Sequence, residues 1–194
     1  TYSFFIPTVS ASDNPDLNGR LIYVDPVSFG SITKDEVTGN EIGKAMVFFY
    51  NNTTKAIEAK QYNYDMQLDS VFGTGATITD AAIIEDRLSD LLDYHIIIGD
   101  VEDSRNFEYF QTKGRGTIKI GRDAADSVRY VYGGYQIETD KPSKILTRYD
   151  MTTAKGNGKT YIIDKPLQTS RKSVYDILSD SVNYPEFEEF NNCD

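Results

Sequence analysis

The sequence holds one histidine and one cysteine, so any chemistry built on imidazole or thiol must run through His95 or Cys193. A Ser-His-Asp or Cys-His arrangement needs an open imidazole beside a hydroxyl or thiol. His95 sits instead in the apolar run from Tyr94 to Ile98, where a histidine is ordinarily packed and hydrogen-bonded, and Cys193 lies at the far end of the chain. One imidazole and one thiol also fall short of the usual nitrogen and sulfur set of a zinc site. The residues therefore give no catalytic residue, no metal ligand and no cofactor to expect.

Four further patterns could carry chemistry or hold a ligand. Gly156-Asn157-Gly158-Lys159-Thr160 has the look of a phosphate loop, but the position for its first glycine holds Thr153, and Tyr161-Ile162-Ile163 continues as a strand rather than a helix. It reads as a turn. Asn14, Asp16, Asn18, Gly19 and Asp25 mimic calcium-loop spacing, yet the first position is Asn, Pro15 intrudes and no helices flank it, so a solvated turn is expected. Among the many acids, Asp100, Glu102, Asp103 and Glu108 could supply the carboxylate pair of a glycosidase, whose separation no sequence reveals. The densest aromatic group, Tyr130, Tyr132 and Tyr135 beside Gly133-Gly134, is a candidate sugar-stacking platform, set against ordinary cross-strand packing.

A net charge of −10 and a pI near 4.6 would repel a phosphate backbone, and the arginines Arg20, Arg105, Arg122 and Arg148 form no stripe, which argues against nucleic acid as a partner. At 39% hydrophobic and 26% charged residues the chain has the composition of a folded domain, and its apolar runs are too short to span a bilayer. No signal-peptide pattern opens it, and any export signal is expected upstream. The single cysteine leaves no internal disulfide.

The elements that must position these residues are mostly strands. Tyr2–Ile6 is aromatic and β-branched and stops at Pro7; residues 10–20 read as loop. Residues 45–50 and 55–64 flank a polar turn and predict a hairpin, the second run being mixed enough for an edge or outer strand. Residues 79–93 predict a helix capped by Thr79, with Ile84, Leu88, Leu91 and Leu92 on its apolar face. Residues 94–101 predict a buried strand. From 107 to 163 the pattern is a β-meander or small sandwich, with turns that include Gly133-Gly134 and Lys141-Pro142. A helix capped by Ser170 and carrying Val174, Ile177 and Leu178 follows, and near residue 169 a new unit is expected to begin.

Three segments resemble the signatures of the fasciclin domain, in order. Phe4-Phe5-Ile6-Pro7-Thr8 is similar to its strand ending in Ala-Pro-Thr, with Ile6 for alanine. Leu91-Leu92-Asp93-Tyr94-His95-Ile96-Ile97-Ile98-Gly99 resembles its helix running into a Tyr-His strand. Asn157-Gly158-Lys159-Thr160-Tyr161-Ile162-Ile163-Asp164-Lys165-Pro166-Leu167 resembles its Asn-Gly strand leading to Ile-Asp. The resemblance covers residues 1–168, and residues 169–194 look like the opening helix of a following copy. It departs from the family in the loop at 10–20, which stands where a helix is usual, and in its longer hairpin at 45–64.

The resemblance implies an α+β fold, a fasciclin-type β-sandwich or wedge with helices packed on it. It implies a non-catalytic, extracellular module for adhesion or for binding protein or carbohydrate, often in tandem, and no shared catalytic residues. Pro7, Thr8, Tyr94, His95, Asn157, Gly158 and Asp164 would then be structural motif residues. Similar arrangements occur in surface lipoproteins of Gram-negative bacteria, which implies a cell-surface place through an upstream outer-membrane anchor. A glycan-binding part of a bacterial nutrient-capture apparatus and a glycoside hydrolase stand as alternatives. Family members carry helices before the first strand; without them the β-core should expose an apolar patch. Val174, Ile177, Leu178, Phe187 and Phe190 are expected to cover it, from the same chain or a neighbour, giving swapped or tandem self-association through residues 171–190.

Overall fold

A computed structural model describes residues 2–9, 13–102, 108–114, 116–122, 128–150 and 158–169. The fold is mixed α+β and dominated by strands. In chain order these are β1 (Tyr2–Pro7), β2 (Leu21–Val24), a 3-10 turn (Pro26–Ser31), β3 (Thr33–Lys34), β4 (Glu41–Asn51), β5 (Ala56–Asp65) and β6 (Ser70–Thr77). There follow α1 (Ala81–Tyr94), β7 (Ile96–Ile98), β8 (Glu108–Gln111), β9 (Thr117–Arg122), β10 (Arg129–Tyr132), α2 (Gly134–Thr139), β11 (Ser143–Asp150) and β12 (Gly158–Ile163). Among the described residues no helix is long and apolar enough to cross a membrane.

The strands form two sheets. One has the order β7-β1-β12-β11-β10-β9-β8; the other runs β2-β4-β5-β6, with β3 also on β4. From β8 to β12 each strand pairs antiparallel with the next, the meander that the turn spacing predicts. β1 then closes onto β12 in parallel, with Phe4 opposite Thr160 and Ile6 opposite Ile162. A parallel pair needs a long crossover, and here almost the whole chain supplies it.

Both faces of the second sheet are covered, which is why β4 reads Ala45-Met46-Val47-Phe48 without alternation. Met46 and Phe48 pack with Tyr23, Ala59 and the α1 residues Ile84 and Leu91. Ala45 and Val47 face the other way, among Val24, Tyr64, Leu17 and Tyr62. The α1 helix ends in the core of the first sheet, where Tyr94 packs with Phe5, Ile97, Tyr161 and Leu167. One helix thus binds one sheet by its flank and the other by its last turn.

Several expectations are corrected. The cap of α1 is Asp80, whose carboxylate accepts from the Ala82 amide at 2.9 Å, one residue after Thr79. Ile84 and Leu91 are buried, but Leu92 is exposed. The strand expected over 94–101 is only Ile96–Ile98, because Tyr94 still belongs to the helix and His95 closes it in helical conformation. β5 is not an edge: β6 pairs beyond it, and its buried Ala59, Tyr62 and Tyr64 explain the mixed pattern. Gly133-Gly134 is not a plain hairpin turn but opens α2.

The outer face of the first sheet carries an apolar patch around β1. Tyr2, Phe4 and Ile6 point outward from β1 and are exposed, as are Ile98 on β7 and Tyr149 on β11. The residues expected to cover such a patch, Val174, Ile177, Leu178, Phe187 and Phe190, and the whole expected unit from 170 onward lie outside the described residues, as does Cys193.

Candidate functional site

Among the described residues, two places gather chemically capable groups: the junction around His95, and a cavity between the second sheet and α2. The junction follows from the end of α1. Tyr94 and His95 are the last residues before the chain reverses into β7, so both side chains fall where helix, sheet and the exit of β12 meet. The His95 Nδ1 lies 2.6 Å from the Leu91 carbonyl, which can only accept, so Nδ1 carries the proton. Nε2 then accepts from the Leu167 amide at 2.8 Å. The ring is a neutral imidazole with both nitrogens bound to backbone, and burial pushes its pKa down to about 4. The backbone joins in: the Phe5 amide donates to the His95 carbonyl at 2.9 Å.

The neighbouring motif residues complete the knot. The Tyr94 hydroxyl donates to the Thr117 carbonyl and accepts from the Gly134 amide, both at 2.9 Å, joining α1 to β9 and α2. The Thr8 amide donates to the Ile163 carbonyl at 2.8 Å and its hydroxyl to the Asp164 carbonyl at 3.1 Å. Asp164 in turn accepts from the Lys144 amide at 2.8 Å. Pro7 is the last residue of β1, opposite Ile163. Gly158 opens β12 against the Tyr2 carbonyl, while Asn157 lies outside the described residues.

Sequence reasoning missed Gln136. This buried amide accepts from the Gly133 amide at 2.9 Å and the Gln168 amide at 3.0 Å, and donates to the Pro166 carbonyl at 2.8 Å. It fastens α2 to the segment leaving β12. The signal was present: a glutamine three residues into a helix reaches back to the residue before it, as in a capping box. Gln136→Leu would strand two buried amide donors, and a loss of about 2–4 kcal/mol is expected in a urea melt. A change under about 0.5 kcal/mol would show those amides find other partners.

The other candidates come apart. Lys159 of the Gly-Asn-Gly-Lys-Thr segment lies in β12 with its side chain buried, its ammonium 3.0 Å from Asp100 and hydrogen-bonded to Glu102. Burial opposes its charge, but those two carboxylates hold its pKa above the ordinary lysine value. Asp100 and Glu102 are therefore bound to one ammonium rather than facing each other across a cleft. Asp103 and the Glu108 side chain lie outside what is described. Asp25 of the calcium-like spacing binds the Arg87 guanidinium at 2.9 Å and caps the 3-10 turn through Val27, while Asp16 stands 3.9 Å from Lys60.

The three tyrosines do not form one platform. Tyr130 and Tyr132 share a face of β10, but Tyr135 is buried on α2 and stacks on Phe29 at 5.9 Å. The Tyr132 ring lies against Gly121 and has the Lys119 ammonium 5.1 Å from its centre. The short helix α2 turns Tyr135 inward, away from the face that Tyr130 and Tyr132 share.

The cavity, about 340 Å³, lies between the Ala45 side of the second sheet and α2 with the segment following β12. Leu17, Ile22, Val24, Val71 and Pro166 give it apolar walls. At one end the Tyr64 hydroxyl donates to Asp69, Lys165 stands 3.2 Å from the same carboxylate, and Lys141 donates to the Gln67 carbonyl at 2.6 Å. Burial raises the Asp69 pKa, but Tyr64, Lys165 and Lys141 together bring it below the ordinary value, so it is ionised at neutral pH. The Tyr64 hydroxyl, buried beside that carboxylate, is pushed far up and stays protonated.

Compared with family models, curated proteins and solved structures, the chain matches none of them.

Proposed function

We propose that the chain is a non-catalytic binding module of fasciclin-like type, acting in adhesion or in binding protein or carbohydrate at the cell surface, outside the cell and anchored by an upstream segment. The observation that carries the reading is the junction at His95. Three segments far apart in sequence, 4–8, 91–99 and 158–167, meet there, and they are the segments that resemble the family's signatures. An imidazole bonded to backbone at both nitrogens has neither a free lone pair to take a proton nor a free N–H to give one. The ring's task in this reading is to lock the helix end to the sheet. The glycan-binding alternative loses its three-tyrosine platform and keeps only the tyrosines of β10.

The test is retention without turnover. The chain is immobilised and exposed to a panel of surface glycans and extracellular matrix proteins, with the eluate checked for cleavage. Saturable retention of an unchanged panel member is expected. Cleavage of any member would overturn the non-catalytic part, and no retention at roughly 100 μM would overturn the binding part.

A further inference from the structure

The cavity between the second sheet and α2 has a chemistry that the adhesion reading does not use, and the inference from it stands without any macromolecular partner. Its volume, about 340 Å³, is at the small end of ligand pockets, which run from about 300 to 1,000 Å³. That room suits a ligand of roughly a single ring and a short chain, not an oligosaccharide.

The lining decides what kind of ring. The walls offered by Leu17, Ile22, Val24 and Val71 are aliphatic. Most of the uncharged polar side chains within reach are already bonded to protein. The Tyr64 hydroxyl donates to Asp69, the Thr139 hydroxyl to the Tyr135 carbonyl, and Gln136 is satisfied at both ends of its amide. Gln168, with its amide turned to suit, both donates to and accepts from the Val24 backbone at 3.2 Å. A polyol entering this space would find few partners for its hydroxyls, and burying them unpaired is unfavourable.

The charged lining side chains are two lysines and one aspartate, Lys141, Lys165 and Asp69. Lys165 pairs with Asp69, and Lys141 is bonded to a neutral carbonyl, so the rim carries one cation in excess. On a molecule of net charge −10 this is a local reversal of sign. A cation held at the rim of an apolar cavity favours an anion whose uncharged body fills the cavity.

We propose that this cavity binds a small monocarboxylate with an apolar, ring-sized body, the carboxylate placed between Lys141 and Lys165 and the body against Ile22, Val24 and Val71. Asp69 holds Lys165 in place and, being negative, sets the limit at one ligand charge. No bond is made or broken.

The probes are 3-phenylpropanoate, its uncharged amide and 3-phenylpropylamine, which share the ring and differ in charge, titrated by calorimetry and by amide chemical shifts of the whole chain. The carboxylate is expected to bind about tenfold or more tighter than the amide, the amine weakest, with shifts centred on Val24, Val71 and Gln168. Lys141→Met, whose ammonium touches only a carbonyl at the surface, should lower carboxylate affinity by about tenfold and leave the amide unchanged. A Lys141→Met/Lys165→Met chain should remove the preference for the carboxylate altogether. Equal affinity for carboxylate and amide, binding unaffected by Lys141→Met, or no binding of the carboxylate at roughly 10 mM would each overturn the proposal. Since no glycan or protein partner enters the experiment, its failure leaves the surface-module reading standing, and the reverse also holds.

Discussion

Gly158→Ala is expected to unfold the chain or to cost more than about 4 kcal/mol, because it stacks two faults on one residue. The backbone at Gly158 has φ +140°, which an L side chain rarely adopts, and a Cβ built there would stand 1.6 Å from the Tyr2 carbonyl oxygen. No rotamer relieves a collision between Cβ and backbone. The only escape is to part β1 from β12, and that parallel pair joins the first and last of the described strands. Two other glycines separate the faults. Gly99 has φ +128° with nothing within 4 Å of an added Cβ, so Gly99→Ala carries only the backbone term, about 1–3 kcal/mol. Gly30 has neither fault, and Gly30→Ala should change stability by about 0.5 kcal/mol or less. Urea midpoints of the three variants check the ranking; Gly158→Ala matching Gly99→Ala would show that the strands part cheaply.

His95→Ala is expected to cost about 3–5 kcal/mol, from the cavity left in the core and the Leu167 amide left unpaired. His95→Gln can offer an oxygen near the place of Nε2 and should recover part of the loss, whereas His95→Leu fills the space and recovers no hydrogen bond. A ranking with Leu above Gln would show that volume, not the bond to Leu167, is what the position requires. The same residue has a pH signature. The folded ring has a pKa of about 4, against 6.5 for an unhindered histidine, because burial disfavours its charged form. Below pH 6.5 the unfolded chain takes up a proton that the folded chain refuses, so stability is complete above that pH and declines as pH falls towards about 4. The full loss is about 3 kcal/mol. The carboxylates of Asp35 and Asp65 are held below the ordinary range by hydrogen bonds, from the Thr38 amide and the Asn40 side chain respectively, so their share is lost at lower pH still. Subtracting the pH curve of His95→Gln from that of the parent isolates the histidine.

How far these features could be read in advance differs by element, for physical reasons. Period and punctuation reveal local structure, and the hairpin at 45–64, the helix after residue 79 and the meander after 107 were legible from alternation, capping residues and turns. The cap moved from Thr79 to Asp80 because both can accept from the first turn, and only the entry of the chain decides between them. The strand predicted over 94–101 shortened because a short apolar run cannot be told from a helix exit by periodicity, and Tyr94 and His95 finish α1 before Ile96–Ile98 form β7. What neighbours impose was illegible. Nothing local says that β5 has a partner on each side, or that Tyr135 leaves the face of Tyr130 and Tyr132 by way of a short helix. His95 was legible as a packed residue from its apolar neighbours, but its bond to Leu167 joins residues 72 apart in sequence. The cavity had no sequence signal, since its lysines and aspartate come from three separate segments that only the folded chain brings together.

His95 is a neutral fastening between helix and sheet, and an NMR correlation of its two ring nitrogens reads this directly. The expected spectrum shows a protonated Nδ1 and a bare, accepting Nε2, unchanged from about pH 8 down to about pH 5. A proton on Nε2, or a titration centred near the ordinary value of about 6.5, would contradict it, because the ring would then be free to exchange protons with whatever reaches it.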